Sequence, residues 1–279
     1  MKKQCKYYGK RLIGYVIGFM LFYAPFDGFA RLVDLLIPPT QMYSIHEPCF
    51  RIPLNTLVTG DIIQAGPVSL IALALLAVVS LVFGPLYCGK LCPAGALPEF
   101  LSRLVPEKLQ IDWSHHVRIT PIRYGFLAGF FLAPLAGIVA HCAYCNFFVF
   151  DMLITVLHTG RLPVYSISLI LTFALWFVVL GLFTKGGRGF CNFLCPVGAF
   201  SSVLYQIGRH LPWSRQMKAE AQRCVGCQSC QRVCPMRTIA MTGKKAVIDR
   251  QRCIVCGACR DVCPVNAITY GTQKEMPHE

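Results

Sequence analysis

The stretch CVGCQSCQRVCP at residues 224–235 returns as CIVCGACRDVCP at residues 253–264. Each run reads C-x2-C-x2-C-x3-C-P, and each cysteine of the first lies 29 residues before its counterpart in the second, so the pair is a duplicated unit. Soft thiolates bind iron–sulfur clusters, and in the bacterial two-cluster pattern the fourth cysteine of each run ligates the other cluster. The spacing therefore predicts one 4Fe-4S cluster on Cys224, Cys227, Cys230 and Cys263, and a second on Cys253, Cys256, Cys259 and Cys234. Structural zinc and a disulfide framework also use C-x2-C steps. Neither explains the third cysteine step, the x3-C-P ending and the duplication together.

Outward from this tail the composition changes. Of 279 residues, 55% are hydrophobic and only 14% charged, and the mean hydropathy is +0.53, values that belong to a membrane class. The net charge of +14 would suit nucleic acid, but basic segments flanking membrane spans produce the same excess. No basic run is interleaved with aromatics away from those flanks, so no nucleic-acid partner is expected. Four apolar segments approach the roughly 20 residues that a helix needs to cross about 30 Å of hydrocarbon: Leu12 to Ile37, Gly66 to Tyr87, Ile122 to Ala140 and Leu162 to Phe183. The first is interrupted by Asp27, Arg31 and Asp34 and resembles a signal-peptide core over Leu12 to Ala24. An uncleaved anchor is preferred, because apolar sequence continues past Pro25.

Lysines and arginines set the expected orientation. Five fall in the first eleven residues, five between Cys88 and Arg123, and fourteen after Phe183. Both termini and the middle loop are thus expected on the cytoplasmic side of a prokaryotic inner membrane, with the tail in a reducing compartment where thiolates stay available for metal. The fold expected is an α-helical membrane domain of four transmembrane helices in two repeated hairpins over residues 1–211. A small α+β two-cluster ferredoxin-like domain follows over residues 212–279.

A second repeat lies inside the helical part. Tyr87-Cys88-Gly89-Lys90-Leu91-Cys92-Pro93-Ala94-Gly95-Ala96 matches Phe190-Cys191-Asn192-Phe193-Leu194-Cys195-Pro196-Val197-Gly198-Ala199, with the cysteines displaced by 103 residues. Packing of the two hairpins about a pseudo-twofold axis would bring Cys88, Cys92, Cys191 and Cys195 together, and four thiolates are what one more cluster requires. A reversible thiol/disulfide pair is the competing use of these cysteines. Two isolated cysteines of this spacing would more ordinarily be packing residues.

On the opposite, external face the expected topology puts His46, Cys49, His141, Cys142 and Cys145. A disulfide joining Cys49 to Cys142 or Cys145 is the plain reading outside the cytoplasm, with a metal or cluster site and simple packing as alternatives. Between the repeats, Pro98 to Leu109 reads as an interfacial helix, followed by His115 and His116. Solvated histidines are the plain reading there, and a quinol headgroup partner is the sharper alternative. Glu99, Asp112, Arg118 and Arg123 are candidates for proton handling. No histidine lies within the spans except His141 at a helix end, which argues against a cytochrome b.

With these elements placed, the chain resembles the NapH/MauN family of ferredoxin-type membrane proteins, and more loosely the membrane parts of NosR and of the cytochrome oxidase accessory protein CcoG. The resemblance covers nearly the whole chain and rests on the four apolar segments, the two C-x3-C-P motifs and the paired ferredoxin runs. It implies quinol oxidation in the membrane and electron transfer to other redox subunits, with membrane lipid and the quinone pool as further partners. The Cys49, Cys142 and Cys145 set departs from the pattern of the nitrate-reductase members. The function expected is a membrane-bound iron–sulfur electron-transfer subunit of quinol dehydrogenase type. The alternative is an accessory factor that reduces a metal or thiols for a partner metalloenzyme. No G-x-G-x-x-G run after a strand is present to suggest a nucleotide or flavin site.

Overall fold

The computed structural model describes residues 2–23, 25–37, 49–50, 53, 60, 66–136, 144–160 and 167–272. Helix α1 runs over Lys2–Phe22, α2 over Gly28–Leu36 and α3 over Pro67–Phe83. A π-helical turn at Tyr87–Leu91 leads into α4, Pro93–Leu101. Then come α5 at Ile119–Leu132, α6 at Asn146–Thr159 and α7 at Ile167–Phe173, which widens into π-helix over Ala174–Leu182. Helices α8, Gly189–Phe193, and α9, Pro196–Gly208, complete the helical body.

The four-span membrane domain expected from the apolar windows is overturned, and with it the multi-pass inner-membrane location. Among the described residues no helix is long and apolar enough to cross a membrane. The windows ran through positions where the backbone leaves the helix. The first is cut after Phe22, and Asp27 sits in the left-handed region (φ 42°) ahead of α2. The second yields 17 helical residues, closed by Gly84 at φ 76°; at about 1.5 Å per residue that is roughly 25 Å, short of the ~30 Å needed. The third gives only 14 helical residues and buries Arg123 among them. With the spans goes the ground for membrane lipid as a partner and for an orientation of the termini.

What organises the helical body is the repeat. In each half a helix is followed by a C-x3-C-P turn whose proline opens the next helix: Pro93 starts α4 and Pro196 starts α9, with Cys92 and Cys195 as the preceding cap residues. Proline suits that first position because its missing N–H would have had no helical partner. Helix α9 packs along α3, and α1 packs on the turn at 87–91. The second contact leaves no room for side chains: a Cβ at Gly18 would lie 1.8 Å from the Leu91 carbonyl oxygen.

A buried ion cluster locks these pieces. Glu99 on α4, 1% exposed, accepts from Arg11 Nη1 at 2.6 Å and from Arg188 Nε at 2.6 Å. Arg188 also donates to the Cys88 carbonyl at 2.6 Å and to the Tyr15 hydroxyl at 2.9 Å, and Tyr15 donates to the Gly89 carbonyl at 2.8 Å. Burial alone would raise the Glu99 carboxyl, but the guanidinia of Arg188 and Arg11 hold it below the usual carboxylate range.

The tail forms two antiparallel ribbons. Strand β1, Gln216–Ala219, pairs with β4, Ile268–Gly271; β2, Ile239–Thr242, pairs with β3, Lys245–Ile248. Short helices α10, Ser229–Val233, and α11, Ala258–Asp261, occupy matching places in the two halves. The duplication extends to the backbone. Gly226 and Val255, Gln228 and Gly257, and Arg237 and Asn266 are three pairs 29 residues apart, and all six residues have positive φ. Val255 at φ 50° is the notable member, since a β-branched side chain strongly disfavours that region. The tail is fastened to the helical body by Asn192 Nδ2 donating to the Met236 carbonyl at 3.1 Å, Tyr270 Oη donating to the Phe83 carbonyl at 2.8 Å, and the Arg237–Asp112 ion pair at 2.7 Å.

Replacing Glu99 by Ala would strand two buried guanidinia, and loss of one partner from a buried pair costs about 3–5 kcal/mol. Arg103→Ala, which removes the partly exposed member of the same cluster, should cost under about 1 kcal/mol. Denaturant unfolding of the two variants measures the difference.

Candidate metal centres

Two cavities collect the cysteines. The first, in the tail, has an empty volume of about 340 Å³ and is lined by Cys234, Cys253, Cys256 and Cys259 within an apolar shell that includes Met236 and Ile254. These are the four residues that the crossed ferredoxin pattern assigns to one cluster. The fourth cysteine of each run accepts a backbone N–H four residues on: Thr238 N to Cys234 Sγ at 3.5 Å, and Ala267 N to Cys263 Sγ at 3.2 Å. Such donors favour a thiolate and tune what it ligates. The proline after each of these cysteines starts the turn that presents those N–H groups. Of the other set, Cys230 is buried, Cys224 and Cys263 are half-buried and Cys227 is exposed, so this set faces outward.

The second cavity lies between the two helical repeats and has an empty volume of about 710 Å³. Cys88, Cys92, Cys191 and Cys195 all line it, so the structure does bring the repeated motifs together. Cys49 and Cys145 line it as well, although the expected topology had put them on the opposite face. Cys142, His141 and His46 lie outside the described residues. Cys195 accepts from Gly198 N at 3.4 Å, a backbone donor supplied here by a helix N-terminus where the tail supplies it from a turn. Burial and the neighbouring thiols Cys92 and Cys191 push Cys88 up to about 12, and burial and Cys191 push Cys92 up to about 11. Buried thiols crowded in this way deprotonate only against a compensating positive charge, which metal supplies. Arg123 and Arg188 add fixed positive charge to the same wall.

The lining residues fit an iron–sulfur group. Among the described residues, no three His, Cys, Asp or Glu side chains are placed to hold a single metal ion. A tetrahedral zinc gathers its sulfurs about 2.3 Å from one point, whereas a cluster meets each thiolate at a different iron. Ile254 belongs to the wall of both cavities. At that wall Gly89, the residue after Cys88, touches the tail so closely that a Cβ would lie 2.1 Å from the Ile254 carbonyl oxygen and 3.1 Å from Cys256 Cα.

The other sequence candidates fall elsewhere. Glu99 is held in the structural ion cluster, Asp112 pairs with Arg237, and Arg118 and His116 are exposed. Arg188 was missed. It stands three residues before Cys191, where an arginine set among glycines was the available signal.

A family model described as a 4Fe-4S dicluster domain matches residues 216–274, and one described as a 4Fe-4S binding domain matches twice, at 65–112 and 168–214. Each of the two shorter matches contains one C-x3-C-P motif. An uncharacterized protein of Methanocaldococcus jannaschii is 30% identical over 205 residues, covering 70% of this chain and 78% of that protein. The methylamine utilization ferredoxin-type protein MauN of Methylorubrum extorquens is 32% identical over 186 residues, 66% of this chain and 58% of MauN. The chain belongs to the NapH/MauN-like ferredoxin-type family. The putative electron transport protein YccM of Escherichia coli is 23% identical over 192 residues, 65% of this chain and 50% of YccM. The chain thus spans about half to four fifths of the length of these curated relatives. No solved structure matches it significantly. As a member of this family the chain carries iron–sulfur clusters and has an iron–sulfur electron-transfer role.

A tail this small has little core of its own, so ligation should supply much of its folding free energy. Anaerobic removal of iron by a chelator is expected to abolish amide-exchange protection in β1 to β4 while α3 and α9 keep theirs. Protection of the strands should return on reconstitution with iron and sulfide.

Proposed function

We propose that the chain is a three-centre electron relay between redox proteins. One cluster is held by Cys224, Cys227, Cys230 and Cys263, the next by Cys234, Cys253, Cys256 and Cys259, and the third centre by Cys88, Cys92, Cys191 and Cys195. The observation that carries this reading is the shared wall. Ile254 separates the second and third sites, and the thiols pass from exposed Cys227 through buried Cys253 and Cys259 to buried Cys88. A partner redox protein would meet the relay at the Cys227 edge, and single electrons would then pass inward without leaving the protein. The quinone pool, expected from the resemblance, does not enter this reading now that the spans on which it depended are gone.

The accessory-factor alternative drew its support from a separate external group of thiols and histidines. Cys49 and Cys145 line the relay's own cavity instead, which favours the relay.

Iron and acid-labile sulfide in the anaerobically purified chain test the reading: two clusters give about eight irons and a third cubane about twelve. Cys88→Ala with Cys191→Ala should lower iron by about four per chain and leave the signals of the two ferredoxin-type clusters. Iron unchanged by that double substitution would remove the third centre.

A further inference from the structure

The interhelical cavity is provided with more than a four-cysteine cluster uses. Six cysteines line it where the tail cavity has four. Cys49 and Cys145 belong to neither repeat, and they reach the cavity from separate segments next to Phe50 and Asn146. Cys145 carries a free thiol, which excludes the expected Cys49–Cys145 disulfide in this structure.

The polar groups on the wall point to a ligand by themselves. Tyr23 is 0% exposed and Tyr87 8% exposed, yet among the described residues neither hydroxyl has a hydrogen-bond partner. Arg123, 1% exposed, spends Nη2 on Ser202 Oγ at 2.8 Å, and its Nε and Nη1 have no partner among the described residues. Leaving a buried donor unsatisfied is costly, so three such residues on one wall mark where an acceptor belongs. All are donors facing a thiol-lined space, and sulfide and thiolate sulfur are acceptors.

Building on the third centre proposed above, we propose that Cys49 and Cys145 are further thiolate ligands of a polynuclear iron–sulfur centre that is larger than one four-cysteine cubane. Tyr23, Tyr87 and Arg123 donate hydrogen bonds to its sulfurs. Each thiol gives up its proton as it binds iron, and the two arginines on the wall offset part of the negative charge of the assembled centre. The tyrosines act as positioning and tuning residues, since hydrogen bonds to sulfur stabilise the reduced form and raise the reduction potential.

The test compares full-length chains purified without oxygen, by iron and sulfide content and by Mössbauer spectroscopy of 57Fe-labelled protein. Cys49→Ser with Cys145→Ser should lose iron from the spectral component that Cys88→Ala with Cys191→Ala also loses, and should retain the ferredoxin-type components as an internal check on folding. If that component survives intact in the Cys49/Cys145 variant but is lost in the Cys88/Cys191 variant, the inference fails and the three-centre relay stands. If both variants keep full iron, the third centre itself is absent and both readings fall. Tyr87→Phe, which removes only one hydroxyl, should shift the midpoint potential of that component downward. An unmoved potential would overturn the role given to the tyrosine.

Discussion

Arg188 is the constraint on which the interior depends. It stands at the start of α8, three residues ahead of Cys191, yet its three nitrogens are spent on the other half of the molecule: the Glu99 carboxylate, the Cys88 carbonyl and the Tyr15 hydroxyl. One rigid guanidinium thus fixes the first motif against the second and both against α1. Arginine suits the place because its planar fork of donors stays charged on burial and serves several acceptors at once. The repeat offset of 103 residues gives the arrangement its logic. Glu99 and Ser202 are equivalent positions, and each takes a buried arginine, Arg188 in one half and Arg123 in the other. The halves differ in that only one holds a carboxylate. The Arg123 half therefore keeps uncompensated positive charge on the cavity wall, which suits an anionic thiolate-bound centre.

The tail was the most legible part of the sequence, because its signal is local. Cysteine spacing, the following proline and the 29-residue offset together specify loop geometry. The structure repeats that offset down to the positive φ of Gln228 and Gly257 or of Arg237 and Asn266. Convergence of Cys88, Cys92, Cys191 and Cys195 was also readable, since equivalent motifs in two packed hairpins fall near the axis that relates them. The apolar windows misled because hydropathy averages over Gly84, Asp27 and Pro134, and these residues decide where a helix stops. Cys49 and Cys145 could not be placed by local reasoning. Their neighbours are set by aromatic packing of Phe50 on Tyr87, centroids 5.0 Å apart, and of Phe147 on Tyr23 at 4.4 Å. Nothing in their own spacing encodes those contacts.

The same aromatic contacts give the cavity an apolar wall. Phe22 meets Phe50 and Tyr87 at 6.0 and 5.4 Å, and Phe150 closes edge-on over Tyr23 at 5.0 Å. Such a wall serves electron transfer. It keeps the local dielectric low, so each charge and hydrogen bond near a centre weighs more on its potential than it would in water. Beside it, Gly89 and the Ile254 backbone meet without an intervening side chain, which joins the two cysteine-lined cavities into a single mechanical unit. Any larger residue at 89 would have to push the Cys256 loop away from Cys88. In the relay proposed above, the close approach that joins the tail to the helical body would also carry the electron between them, so that one glycine would serve both.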